Sequence, residues 1–524
     1  MKNFNSLWTK NRPLIYIFLL LWTLPLLIGG YEQQSLMAHD EGLYATRARL
    51  MFDTGDWVNP WQEPHHKTPG IYWLIAIFYY FLGIHESTVR LPSLILGLIA
   101  ICLVYEIGRL TINSDVGFLA ACILNIQFLW LQYCRLGNLD LPTIVLVLGS
   151  IFSLLQAESK PAKSKNLLTG WAGFCLGLAV IFRGFMVGIP IIALAPYLWS
   201  ENRRHHHLSN PGLYLGFILG LTPTAIWLFL SWSRYGSGTF QALLGLVVTL
   251  GTENRNNQSI FYYFLSVSAS SFPWGLIAVG GLVIAWRNKI KYYYLLAGFP
   301  TVVFGLISIY STRLPHYALL LYPFLALLAA LALFCLVNPG QYKYHFPQWV
   351  LPTFSYFFTA LGILLLLAGI VLIFYLKTEQ QYGKIVIATS LSWLFLAFVS
   401  QRKYSSYLWL TTLLLGAWLG LLTAVNIGAI GNYEPDVKAF LKQPAITQII
   451  DHNPIYILHG DDKTRVLLKF YLPNLEYNIA ELPLPACSYA FSDSEYLLSF
   501  PIPYKSLGTL RDWQFIQTTN CDER

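Results

Sequence analysis

Apolar runs long enough to cross a bilayer recur from residue 13 to residue 428, separated by short polar connections. A run of roughly 18 apolar residues spans a hydrocarbon core of about 30 Å as a helix, so the pattern predicts an all-α polytopic membrane protein. About thirteen crossings are expected, the first near 13–30 and the last near 406–428. Among them are spans near 116–133 and 260–285, and two short spans, 167–183 and 185–199, that meet at Arg183-Gly184. The apolar stretch Ile71 to Ile84 is too short to cross and reads as an interfacial helix. Beyond residue 430 the pattern turns polar. Ile455–Leu458 reads as a strand, Thr464–Tyr471 as a helix and Tyr496–Phe500 as a strand. The chain therefore divides into a transmembrane part (1–429) with amphipathic helices in its first outer loop (31–87), and a small extramembrane α/β domain (430–524).

Composition agrees with that division. The 524 residues are 55% hydrophobic and 11% charged, whereas a soluble protein carries about a quarter charged residues. The net charge of +8 is topological and implies no nucleic-acid partner. Lys160, Lys163 and Lys165, Arg203 and Arg204, Arg287, Lys289 and Lys291, and Arg402 and Lys403 all fall in short loops, which the positive-inside rule places in the cytoplasm. The loops around Asp40, Asp140, Arg183, Glu253 and His316 then share the opposite face with the terminal domain. The basic start (Lys2, Lys10, Arg12) before the first apolar run lacks a small-residue cleavage site, so an uncleaved anchor is expected. Of the seven cysteines, only Cys487 and Cys521 lie in the terminal domain. They are either a disulfide or two thiols, and sequence alone leaves both open.

The polar island Tyr31–Lys67 carries the first candidate chemistry, in Ala38-His39-Asp40-Glu41-Gly42-Leu43-Tyr44. Leu43, Tyr44, Leu50 and Met51 predict an amphipathic surface helix that Asp40 would cap and Gly55 would end. A second acidic site, Asp140, lies in Arg135-Leu136-Gly137-Asn138-Leu139-Asp140-Leu141-Pro142, at the edge of the hydrocarbon where an ionisable group is costly. It too could be a helix cap. Lys67, Arg183 and Arg313 each suit a snorkelling position. Three cations beside acidic loops also suit an anionic group such as phosphate.

These segments, in this order, resemble the GT-C glycosyltransferases that use a polyprenyl-phosphate sugar, the aminoarabinose transferase and protein O-mannosyltransferase relatives. The likeness runs over about residues 13 to 336. It rests on Asp40-Glu41, Gly55-Asp56-Trp57, Lys67-Thr68-Pro69, Arg90-Leu91-Pro92, Asp140 and Arg313-Leu314-Pro315-His316-Tyr317. The chain departs from the family at Leu43, where Arg is usual, at His66, where Glu is usual, and at Glu253-Asn254 in place of a Glu-His pair. That Glu-His pair binds a metal in the aminoarabinose enzymes, so no metal is expected here, with His66 and Glu253 the residues that would hold a divalent ion if one bound.

The resemblance implies transfer of a monosaccharide from a polyprenyl-phosphate donor to an unidentified lipid, protein or glycan acceptor, on the outer face of a bacterial inner membrane. The leaving phosphate needs cations rather than a strong acid, and the acceptor needs a base. Asp40 is the expected base, acting with inversion, and Asp140 its helper. Lys67, Arg183 and Arg313 would hold the phosphate, with Tyr44 and Tyr317 adding hydroxyl contacts. Glu41, His66, Glu253 and His316 are further candidates. The rival classes are a lipid or ion transporter, which would carry charges at span centres and internal repeats, and an oligosaccharide ligase, which would have a long late outer loop.

Overall fold

The computed structural model describes residues 12–524, except 32–33, 254–257, 345, 377–378, 403–405, 461–462, 473–474, 476–483, 485–486 and 520–524. Its first eleven helices are α1 (Arg12–Ile28), α2 (Asp40–Thr54), α3 (Gly70–Leu82), α4 (Glu86–Thr111), α5 (Ser114–Asn125), α6 (Phe128–Cys134), α7 (Asp140–Ala157), α8 (Ala162–Arg183), α9 (Gly188–His205), α10 (Pro211–Tyr235) and α11 (Gly238–Thr252). Eight segments among the described residues are long and apolar enough to cross a membrane, or ten if each bent pair is one span. The segment 162–205 is a hairpin, because His205 at its end returns to Glu158 just before its start. Reaching the expected thirteen depends on splitting that hairpin and counting the shorter apolar helices α1 and Tyr294–Ile309.

Two of the expected spans are broken. Helices α5 and α6 meet at 72°, and Tyr262–Ser270 meets Trp274–Arg287 at 110°. The 23-residue segment Pro315–Val337 is apolar all round and 89% buried, so it is the central helix of the bundle. Val350–Phe374 is equally apolar but only 17% buried, as suits a lipid-facing helix. Helix α3 is a short apolar helix with two faces. It buries Ile71, Tyr72, Ile75, Ala76 and Tyr79 and exposes Ile77, Tyr80, Phe81 and Leu82.

Helix α2 departs from the expected surface helix. Leu43 and Leu50 are only half-buried, while Glu41, Gly42, Tyr44, Ala45, Ala48, Arg49 and Met51 are buried. Small residues let α2 lie clamped between α3 and the terminal domain, where Thr46 Oγ1 donates to the Val466 carbonyl at 3.2 Å and Arg49 Nη1 to the Phe470 carbonyl at 2.5 Å. Gly55 ends the helix in the left-handed conformation, as expected.

The terminal domain is α/β, with β1 (Ile455–Ile457), β2 (Tyr489–Asp493), β3 (Tyr504–Leu510) and β4 (Trp513–Thr518) in the order β1-β2-β4-β3. β1 and β2 are parallel and the other pairs antiparallel. The expected helix is present as Lys463–Tyr471. The expected strand at Tyr496–Phe500 is not: Asp493 Oδ1 accepts from the Tyr496 amide and caps a short helix, Ser494–Leu497, instead. Cys487 is disulfide-bonded, and Cys521, its expected partner, lies outside the described residues.

Where these parts converge sits a buried ion pair, Arg90–Glu41, with both side chains 1% exposed. Arg90 Nε and Nη2 donate to the two Glu41 oxygens at 2.6 and 2.7 Å. Its other protons go to Gln34 Oε1 and to the carbonyls of Gly431 and Ser35. Glu41 also accepts from the amides of Met37 and Gly137. We expect Glu41→Ala to destabilise the protein by about 3–5 kcal/mol, because it strands a buried guanidinium. A double variant, Glu41→Leu with Arg90→Met, should recover much of that loss. Thermal unfolding in detergent, followed by size-exclusion chromatography, measures both.

Candidate active site

Beside the ion pair, a cavity of about 360 Å³ opens between α2, the 66–68 loop, the turn before α7, the apex of the α8–α9 hairpin, α11 and the 312–317 segment. Its walls have two characters. Asp40, Tyr44, His66, Lys67, Tyr133, Asp140, Arg183, His316 and Tyr317 form a polar side, and Phe182, Phe185, Met186, Leu243, Leu246 and Val247 an apolar one. Six residues named from sequence as base, helper or phosphate ligands therefore meet in one place.

Neither aspartate is a helix cap. His39 occupies the N-cap of α2 and Asp40 is the first helical residue. Asp40 is half-exposed in the cavity, and its carboxylate makes no hydrogen bond among the described residues. At α7, Asn138 Oδ1 accepts from the amides of both Asp140 and Leu141 at 3.0 Å. That capping work leaves the Asp140 carboxylate free to pair with Arg183. Gly184, at φ +56°, makes the turn that presents Arg183 at the hairpin apex.

The cations are held by the aromatic residues. Lys67 Nζ donates to the Tyr44 hydroxyl at 3.1 Å and sits 4.9 Å from the ring centre. Arg183 lies 5.5 Å from the Tyr317 ring centre, within cation–π range. Burial pulls the pKa of Lys67 down to about 8, against the nearby Asp40 charge, which raises it. Burial pushes the Tyr44 hydroxyl well above its ordinary value.

The 55–70 loop is fixed from both sides. Asp56 accepts from the amides of Val58 and Asn59 and from Arg234 on α10. Burial and Arg47 hold His65 neutral, with a pKa of about 2, while its ring meets Arg47 and Tyr72. A Cβ on Gly70 would lie 2.5 Å from the Ile181 carbonyl. That close approach docks the loop against α8, beside Arg183.

A family model described as dolichyl-phosphate-mannose-protein mannosyltransferase matches residues 66–232. A Serratia proteamaculans protein named undecaprenyl phosphate-alpha-4-amino-4-deoxy-L-arabinose arabinosyl transferase is 26% identical over 416 residues, covering 74% of this chain and 71% of its own. A Pseudomonas fluorescens relative of the same name is 27% identical over 300 residues, 51% of this chain and 48% of its own. The crystal structure of ArnT from Cupriavidus metallidurans bound to undecaprenyl phosphate superposes with a TM-score of 0.75, over 98% of both chains at 19% identity. The chain has the fold of that ArnT structure, and its sequence is similar to proteins named as lipid-linked sugar transferases.

Three candidate residues of the transferase stand outside the cavity wall. Glu41 is spent on Arg90 and two amides, so it is architectural. Arg313 turns away and donates to the carbonyls of Gln258 and Ser308. Glu253 is exposed on a neighbouring loop, where its carbonyl accepts from Thr312. His66 lines the cavity and Glu253 does not, and Asn254, which stands where the family has the metal-binding His, lies outside the described residues.

Other contributors were missed. Tyr133, stacked on His316 at 5.6 Å, reads in sequence as one more span residue. Helix α11 follows α10 after a single turn and supplies Leu243, Leu246 and Val247 to the apolar wall, but no element was expected there.

Proposed function

We propose that the transferase moves a monosaccharide from a polyprenyl-phosphate donor to an acceptor by direct displacement with inversion, on the outer face of a bacterial inner membrane. The observation that carries this reading is the two-sided cavity: paired cations and carboxylates opposite an apolar wall. A phosphate with a prenyl tail presents the same two surfaces. The names of the arabinosyl transferase relatives, and undecaprenyl phosphate in the ArnT crystal structure, support the same donor class.

In this reading Lys67 and Arg183 bind the donor phosphate by charge-assisted hydrogen bonds. Tyr44 and Tyr317 orient those cations, and Asp140 positions Arg183. The acceptor oxygen or nitrogen attacks the anomeric carbon as the bond to the phosphate oxygen breaks, and Asp40 takes the acceptor proton. The polyprenyl phosphate leaves as an anion stabilised in place by the two cations. Arg313 is given no part in phosphate binding, because its two terminal guanidinium nitrogens donate to the Gln258 and Ser308 carbonyls. The basic loops after α7 and α9 support a cavity on the face opposite the cytoplasm.

Asp40→Asn is expected to abolish sugar transfer while donor binding persists. Turnover of a radiolabelled polyprenyl-phosphate sugar beside a lipid-binding assay tests this, and near-wild-type turnover would remove Asp40 as the base. Lys67→Ala should raise the donor Kd about tenfold or more, whereas Arg313→Ala should leave it unchanged. The pH profile follows the same charge. Because Lys67 loses its proton around pH 8 in the free enzyme, donor affinity should be full below that pH and fall as pH rises through it. Lys67→Arg keeps its charge and should flatten the profile. A flat wild-type profile would separate Lys67 from the phosphate.

A further inference from the structure

The opposite end of the α7–α9 unit carries a second cluster of ionisable groups. Glu158 follows α7, whose 18 residues place it about 27 Å from Asp140. Glu201 and His205 lie one turn apart on α9, so they share a face. His206, at φ +51°, ends the helix and turns the chain so that His207 comes back to the same spot. His205 Nε2 lies 3.4 Å from Glu158 and 3.6 Å from Glu201, and His207 Nε2 lies 3.6 Å from Glu158.

These groups are secluded. The side chains of Glu158, Glu201 and His207 are 5%, 7% and 0% exposed. Glu201 Oε2 and both ring nitrogens of His207 have no hydrogen-bond partner among the described residues. Stranding them costs free energy. A bridging protonated His205 would serve the two glutamates, and His207 Nε2 lies within ion-pair range of Glu158, yet His207 Nδ1 is still left without a partner.

We propose that this pocket binds one divalent transition-metal cation of the zinc class, through Glu158, Glu201, His205 and His207. Ligands about 2.0–2.1 Å from a tetrahedral zinc lie about 3.3 Å from one another, close to the three separations above. A divalent charge balances the two carboxylates, and imidazole ligands select zinc-like ions over magnesium or calcium. The support for the ligands is also built. Tyr197 and Tyr292 donate their hydroxyls to the two oxygens of Glu158 at 2.7 and 2.6 Å, which orients a ligating carboxylate. The ion fastens the end of α7 to the end of α9 and the loop after it, so it fixes the hairpin whose apex carries Arg183.

Zinc analysis of the full chain, purified in detergent without chelator and dialysed, should find one equivalent per chain. Glu201→Gln and His207→Ala should each reduce it to background. Added Zn²⁺ should raise the unfolding temperature of chelator-stripped wild type but not of either variant. X-ray absorption of the wild-type metal should show imidazole and oxygen ligands without sulfur, which keeps the test valid if a variant fails to fold. Wild type that neither retains nor is stabilised by zinc overturns the proposal. So does metal that survives both substitutions, or a sulfur-containing ligand shell.

Discussion

The Arg90–Glu41 pair is the fixed point on which the site depends. All five guanidinium protons have acceptors and each Glu41 oxygen has two donors, so neither charge is left to bear its desolvation alone. The partners come from five parts of the chain: the 34–37 loop, α2, α4, the turn at Gly137 and the start of the terminal domain at Gly431. Asp40 is the residue before Glu41, and Asp140 follows Gly137 by three. One satisfied ion pair therefore sets the positions of both cavity carboxylates, while neither carboxylate spends a hydrogen bond on the scaffold. Such a pair adds little net stability over apolar residues of equal size. Its contribution is geometric, because only one arrangement of five segments satisfies it.

Arg135 plays a related part. Its guanidinium donates to the carbonyls of Leu26, Leu27 and Gly29 at the end of α1. Those carbonyls have no partner within the helix, so a cation there closes the helix and anchors the first outer loop. The motif around Asp140 thus divides its labour. Arg135 holds α1, Gly137 supplies an amide to Glu41, Asn138 caps α7, and Asp140 is left to pair with Arg183 in the cavity.

The sequence made the class and the membership of the cavity legible for plain physical reasons. Apolar length reports membrane crossing, and charges at the ends of spans are rare enough to be informative. Residue type could not say which way a side chain turns. Arg313 sits in a motif with His316 and Tyr317, yet it serves the 258 and 308 carbonyls while its neighbours line the cavity. Glu41 and Asp40 are adjacent, yet a helix points successive residues about 100° apart, so one went to the core and the other to the cavity. Breaks inside apolar runs were equally hidden. The 72° bend between α5 and α6 falls at Asn125-Ile126-Gln127, inside a stretch that is still apolar enough overall to pass as one span. The glutamate and histidine residues at the far end of α7–α9 were overlooked because basic loops there had already been assigned a topological role.

The pairing of Asp140 with Arg183 resolves a difficulty in the cavity's electrostatics. Lys67 and Arg183 line one small, partly apolar space, where two unpaired cations would repel and each would be costly to desolvate. The lowered pKa of Lys67 registers that cost, with Arg183 among the charges that depress it and Asp40 the one that raises it. Asp140 offsets the charge of Arg183, and the faces of Tyr44 and Tyr317 spread what remains. The empty cavity can therefore hold two cations without being driven open. In the proposed function, an arriving phosphate would supply the counter-charge that Lys67 lacks, so its binding would be favoured most at this cation, which no carboxylate pairs with directly. In this arrangement the second aspartate need not touch acceptor or proton: its chemistry is to let Arg183 stay charged and in place beside Lys67.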